Sequence, residues 1–143
     1  MPQTLHEFGG SGPLILLTIA NGFPPGSYRP LAAQFIPHYR VVSLPPRALW
    51  PEQESLEKPP TWSTLADDLL AGLDQFDLQD VILIGHSFGA LVAMRAVVQA
   101  PDRITALCLL DPTILPDHKE CSQGKGKNVD HTVYKIRADF QPE

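Results

Sequence analysis

The chemistry open to this sequence centres on Ser87, which stands between two glycines in the run Gly85-His86-Ser87-Phe88-Gly89. An apolar run, Val81-Ile82-Leu83-Ile84, comes immediately before it, and a stretch rich in small and apolar residues, Ala90 to Ala100, follows. A strand that turns this sharply into a helix holds its serine in a tight, strained turn and pushes the hydroxyl clear of the backbone. The flanking glycines are needed because larger side chains would collide with the neighbouring strand and helix. The helix N-terminus beside the serine favours an adjacent negative charge. The plainer alternative is a strand-to-helix turn whose glycines serve packing alone.

A serine hydroxyl is a weak nucleophile. It needs a base to take its proton, an acid to orient that base, and two backbone N–H donors for the oxyanion of a tetrahedral intermediate. Losing one such donor typically costs about 3 kcal/mol of the barrier. The N–H of Phe88, next after the serine, is the expected first donor. The second should come from the loop that follows the apolar run Leu14 to Ala20. Asp111, ahead of Pro112, is a candidate acid or simply the cap of an Asp-Pro turn. His118 and His131 keep the order serine, aspartate, histidine. Of the two, His131 adjoins a strand-like segment, Thr132 to Ile136, and is the candidate base; solvent exposure in a polar tail is the alternative for both. His86 is expected to point away from the reacting face and to pack or line a pocket. His6 and His38 are expected to lie far from the carboxyl edge of the strands.

The elements that must position these groups follow from the pattern. Thr4 to Phe8, Leu14 to Ala20, Tyr39 to Leu44, Val81 to Ile84 and Ile104 to Leu110 read as strands, several with the continuous apolar character of a parallel sheet buried on both faces. Tyr28 to Phe35 reads as a short helix. A longer helix starts at a cap, Thr61 or Ser63, and carries Leu65, Leu69, Leu70, Leu73 and Phe76 near 3.6-residue spacing, with Asp67, Asp68 and Gln75 on the solvated side. Arg47 to Pro60 reads as a long proline-rich loop. Within or beside it, Trp50 and Trp62 either line a pocket or pack over the loop, and Arg47 either meets an anionic substrate or is solvated. Alternating strands and helices predict an α/β fold, a three-layer α/β/α sandwich on a mostly parallel sheet. The ligand edge of such a sheet is the carboxyl edge, where Ser87 falls. Residues 1–116 form the expected core. Residues 117–143 are polar, and read as an irregular extension or the start of a cap.

Composition narrows the function. The formal charge of −5 comes without a basic stripe, which argues against nucleic acid and anionic membrane surfaces as partners. The two cysteines, Cys108 and Cys121, make neither a disulfide framework nor a metal site, and Cys108, inside an apolar run, reads as a buried thiol. No leader segment and no membrane-spanning run is recognisable, so the expected location is the cytoplasm. A serine mechanism implies no cofactor. The loop Asn21 to Gly26 carries prolines where a phosphate cradle would need free N–H groups, which disfavours a nucleotide-binding domain.

Several of these segments also resemble a known family. Asn21-Gly22-Phe23-Pro24 after a buried strand is similar to the His-Gly-Phe-Pro loop of α/β-hydrolases, with asparagine in place of histidine. Gly85-His86-Ser87-Phe88-Gly89-Ala90 is similar to the elbow of the esterase, lipase and haloperoxidase-like branches. Ala100-Pro101-Asp102-Arg103-Ile104 and Leu109-Leu110-Asp111-Pro112 are typical of the same group. The resemblance spans about residues 4–116. It implies that the N–H of Phe23 is the second oxyanion donor, that Asn21, Gly22 and His86 border the substrate, and that the substrate is a small-molecule ester, thioester or amide. Hydrolases of carbon–carbon bonds also use serine, so they stay open as well. Aspartate replaces the serine in the dehalogenase and epoxide-hydrolase branches, so Ser87 points away from those. Family members carry their acid and histidine later in the chain, so the resemblance also implies a C-terminally truncated, incomplete hydrolase fold.

Three functions follow from this reading. The first is an active serine hydrolase of small acyl substrates. The second is a truncated or degenerate hydrolase without turnover, acting as a partial domain that associates through an open sheet edge. The third is a binding module that uses the elbow pocket as a receptor.

Overall fold

The apolar runs become strands, and the stretches that follow Thr61 and Ser87 become the two longer helices, in a computed structural model that describes residues 3–50 and 60–113. Five strands form one sheet: β1 (His6–Gly9), β2 (Leu14–Thr18), β3 (Arg40–Ser43), β4 (Val81–His86) and β5 (Ile104–Leu110). Their spatial order is β1-β3-β2-β4-β5. β1 runs antiparallel to β3, and every other pairing is parallel. The expectation of a mostly parallel α/β sheet is therefore met. Leu16 and Leu83, paired across β2 and β4, are fully buried, as expected for central strands covered on both faces.

Helices α1 (Arg29–Phe35), α2 (Trp62–Gln75) and α3 (Phe88–Gln99) supply the outer layers. Thr61, not Ser63, caps α2, and its hydroxyl accepts from the Thr64 N–H at 3.1 Å. Ala66, Leu69 and Leu73 then share one face and are buried. They pack with Ala93 and Ala96 of α3 against Leu16, Val42, Val81 and Leu83. On the other face, Ala32 and Phe35 of α1 pack with Phe8, Ile15, Leu17, Val41 and Ile84. α3 begins at Phe88, two residues earlier than the apolar stretch from Ala90 suggested, because the turn at Ser87 leads into the helix without an intervening loop.

Three polar readings change in the folded chain. Asp68 is not a freely solvated residue: its carboxylate takes both arms of the Arg47 guanidinium, at 2.6 and 2.8 Å. Arg47 in turn lies over the Trp50 ring, 5.2 Å from its centroid, and the Trp50 indole N–H donates to the Pro45 carbonyl at 2.9 Å. Cys108 is exposed, because the only described neighbour of β5 is β4, and no described helix covers that side of it. His6 pairs with Ser43 at the carboxyl end of β3, contrary to the expectation that it lies away from that edge; β1 runs antiparallel, which brings its first residue to this end. It is nonetheless at the far side of the sheet from β4. Asp67 is exposed, as its helical position predicts.

The antiparallel edge is clamped by Arg40, whose guanidinium holds the Glu7 carboxylate at 2.8 and 3.1 Å. The hydrogen bond to Glu7 raises the Arg40 pKa above the ordinary arginine value; partial burial opposes this, and the charge of Glu7 adds a smaller upward push. The boundary at residue 116 and the tail 117–143 lie outside the described residues. Among the described residues, no helix is long and apolar enough to cross a membrane.

Candidate active site

Ser87 sits between the last residue of β4 and the first of α3, with φ 51° and ψ −116°. This is left-handed territory that a side chain rarely adopts, and it turns the chain by the angle an elbow requires. Neighbouring groups hold it there. The Ser87 N–H donates to the Leu110 carbonyl at 3.0 Å, and its own carbonyl accepts from Ala90 N–H at 3.0 Å and Thr113 N–H at 3.4 Å. The two glycines have the reason the sequence suggested. A Cβ on Gly85 would stand 2.6 Å from the Ala90 Cα, and one on Gly89 would strike the Thr18 carbonyl and come within 2.6 Å of the Ile19 carbonyl. β2 therefore passes directly under the elbow. The buried Thr18 hydroxyl sits 3.0 Å from the Gly89 carbonyl and 3.3 Å from that of Ile84, so it ties β2 to both sides of the turn.

The loop after β2 carries the candidate residues Asn21, Gly22 and Phe23. Gly22 has φ 78°, and Asn21, Gly22 and Phe23 are all exposed. The Phe23 N–H makes a long bond, 3.3 Å, to the Ala20 carbonyl within the turn. Phe88, whose N–H belongs to the free first turn of α3, places its ring 5.2 Å from that of Trp62. Trp62 thus packs against the residue after the serine. Behind Phe88 and Gly89 lies a small cleft, lined mainly by Ile19, Leu44, Leu65, Leu69 and Val92, with Arg47 and Asp68 among its polar lining residues.

The candidate residues divide into those gathered here and those not. Asp111 directly follows β5, exposed, with φ 45°. It opens a turn that brings Thr113 across the elbow, and the Thr113 hydroxyl lies 3.3 Å from the Ser87 hydroxyl. His86 is half-buried, and its Nδ1 lies 2.6 Å from the Tyr28 hydroxyl, with the two rings edge to face. His38 is exposed and precedes β3, at the opposite end of the sheet from Ser87. His118 and His131 lie outside the described residues. No pattern in the sequence singles out Thr18, Tyr28 or Thr113, because each acts through a long-range contact that no local spacing encodes. Among the described residues, no group of three or more histidines, cysteines and acidic residues is placed to hold a metal.

Comparison with known proteins agrees with this geometry. Residues 14–138 match the model of the alpha/beta hydrolase family. The chain is 32% identical over 113 residues to the lipase LipV of Mycobacterium tuberculosis, covering 79% of this chain and 42% of that protein. It is 31% identical over 112 residues to epoxide hydrolase 3 of Siraitia grosvenorii, covering 75% of this chain and 34% of that protein. Among solved structures, an N-formylmaleamic acid deformylase of Pseudomonas putida superposes with a TM-score of 0.67 at 26% identity, over 77% of this chain and 42% of that one. A Pseudomonas aeruginosa hydrolase superposes with a TM-score of 0.70, over 84% of this chain and 45% of that one. The chain thus spans less than half the length of each of these relatives.

Proposed function

Because the chain belongs to the α/β-hydrolase family, we propose that it is a serine hydrolase of small ester or acyl substrates, with Ser87 as its nucleophile. The observation that carries this reading is the left-handed backbone of Ser87 at the junction of β4 and α3. Its effect is to lift the hydroxyl to the carboxyl edge of the sheet, beside free helical N–H groups.

In the proposed reaction the Ser87 hydroxyl oxygen bonds to the substrate carbonyl carbon, and its proton passes to a base. The oxyanion is received by the N–H of Phe88 and, once it exchanges its long turn bond to Ala20, by the N–H of Phe23. Collapse expels the alcohol with the proton from the base, and water then releases the acid from the acyl-serine. His131 is the proposed base and Asp111 the proposed acid. Asn21 and Gly22 border the substrate.

The test is labelling by a fluorophosphonate probe, which reports an activated serine without requiring the natural substrate. The intact chain is expected to label, Ser87→Ala to give no label, and His131→Ala to label slowly. Absence of label on the folded wild-type chain overturns the proposal.

A second reading has its own support. Among the described residues, the side-chain partner of the Ser87 hydroxyl is the hydroxyl of Thr113 and not an imidazole. In that reading the chain is a partial or binding domain without turnover, with β5 as the strand to which a partner adds. A labelled Ser87 decides against it.

A further inference from the structure

The oxyanion loop and the nucleophile elbow are separate pieces of chain, and one side chain bridges them. Tyr28 ends the short 3-10 turn Pro25–Tyr28 that leads into α1. Its hydroxyl accepts the Ala20 N–H at 2.8 Å and lies 2.6 Å from Nδ1 of His86, the residue before Ser87. Ala20 is the root of the loop: its carbonyl takes the Phe23 N–H at 3.3 Å. From these contacts we infer that Tyr28 is a positioning residue, whose hydroxyl sets the distance between the Phe23 donor and Ser87 by joining Ala20 to His86. The inference rests on the hydrolase reading for its catalytic consequence, but not for its geometry.

The hydrogen-bond arithmetic gives the relay one direction in which each donor meets an acceptor. A tyrosine hydroxyl has one proton. With the Ala20 N–H donating into its oxygen, that proton is directed at the ring nitrogen 2.6 Å away. In that direction Nδ1 of His86 is the acceptor and the ring hydrogen sits on Nε2. His86 therefore serves the site through its tautomer and its place in the elbow, as an anchor for the loop. The ring of Tyr28 also packs in the cluster between α1 and the sheet. That contact survives replacement by phenylalanine, so removal of the hydroxyl isolates the relay.

The experiment compares wild type, Tyr28→Phe, His86→Ala and the double variant in the full chain, each checked for folding by circular dichroism. Nitrogen-15 spectra of the wild-type His86 ring are expected to show an unprotonated Nδ1 and a protonated Nε2, with the tautomer preference lost in Tyr28→Phe. Hydrogen exchange at the Ala20 amide should accelerate roughly tenfold in Tyr28→Phe, the size of one lost hydrogen bond. The maximal rate of phosphonylation at Ser87 should fall about tenfold with little change in the half-saturating probe concentration, because the loss is in alignment and not in binding. The double variant should label no more slowly than either single one, as expected for two residues of one relay. A proton on Nδ1, unchanged Ala20 exchange in Tyr28→Phe, or additive losses in the double variant overturns the inference. If wild type takes no label, the hydrolase reading fails, and the ring-nitrogen and amide measurements alone decide the relay.

Discussion

On the face of the sheet covered by α2 and α3, Leu16, Val42, Val81 and Leu83 are fully buried, whereas on the face covered by α1 the shelter is partial. There Val41, Ile15 and Leu17 are buried, but Ile82 and Leu110 are only half-buried, and Ala106 and Cys108 are exposed. The register makes this one continuous strip, since Ile82 pairs with Ala106 and Ile84 with Cys108. The difference shows where the site gets its rigidity. The elbow is wedged between β2 and α3 on the fully packed face, with Thr18 beneath it. The described part of the other face contributes chiefly through Tyr28 and His86, and there a single hydroxyl holds the two loops in relation.

This contrast can be broken or sharpened by substitution. The largest effect is expected at Gly89, where a side chain meets backbone that cannot move aside. Gly89→Val should cost about 3 kcal/mol or more in urea unfolding. A near-neutral result would mean that β2 does not pass under the elbow as closely as described. Next comes a matched pair on β4. Leu83→Ala, on the packed face, should lose about 2–5 kcal/mol through the cavity it leaves. Ile82→Ala, one residue away on the half-covered face, should lose roughly half as much or less, in proportion to the smaller area it buries. Equal losses would show that both faces are equally covered.

Smaller effects probe the rim of the site. Asp68→Ala should cost about 1 kcal/mol, since the Arg47 pair is bidentate but remains open to solvent. The same variant should show slower reaction of Ser87 with the probe only if the Arg47 loop shapes the cleft beside Phe88. The smallest effect is expected at Cys108. Cys108→Ser should change stability by no more than about 0.5 kcal/mol. In a Cys121→Ser background, Cys108 should react readily with iodoacetamide in the native chain. Protection of that thiol until the protein unfolds would show that a further segment or partner covers β5.

The local elements were legible in the sequence because their causes are local. The β-branched and aliphatic runs at 14–20 and 81–84 name buried parallel strands, the spacing of Leu65, Leu69 and Leu73 names a packed helix, and the two glycines around Ser87 name an elbow. The fold class and the candidate nucleophile followed from these. Boundaries shifted by a residue or two, as at the start of α3, where turn geometry and not hydrophobicity decides the first helical residue. The misread residues share one physical feature. Cys108, Asp68 and His6 were each judged by their sequence neighbours, whereas burial, ion pairing and edge position depend on strand order and on which helix lies across which face.

The sequence by itself determined which segments form strands and helices, and that a serine stands where a strand turns into a helix, since these depend on side chains and backbone preferences within a few residues. Only the tertiary structure decided that β2 runs beneath that turn, that Tyr28 joins two distant loops, and that Thr113 meets the serine hydroxyl. Those contacts link residues far apart in the chain, and what selects them is the packing of layers, which no local pattern records.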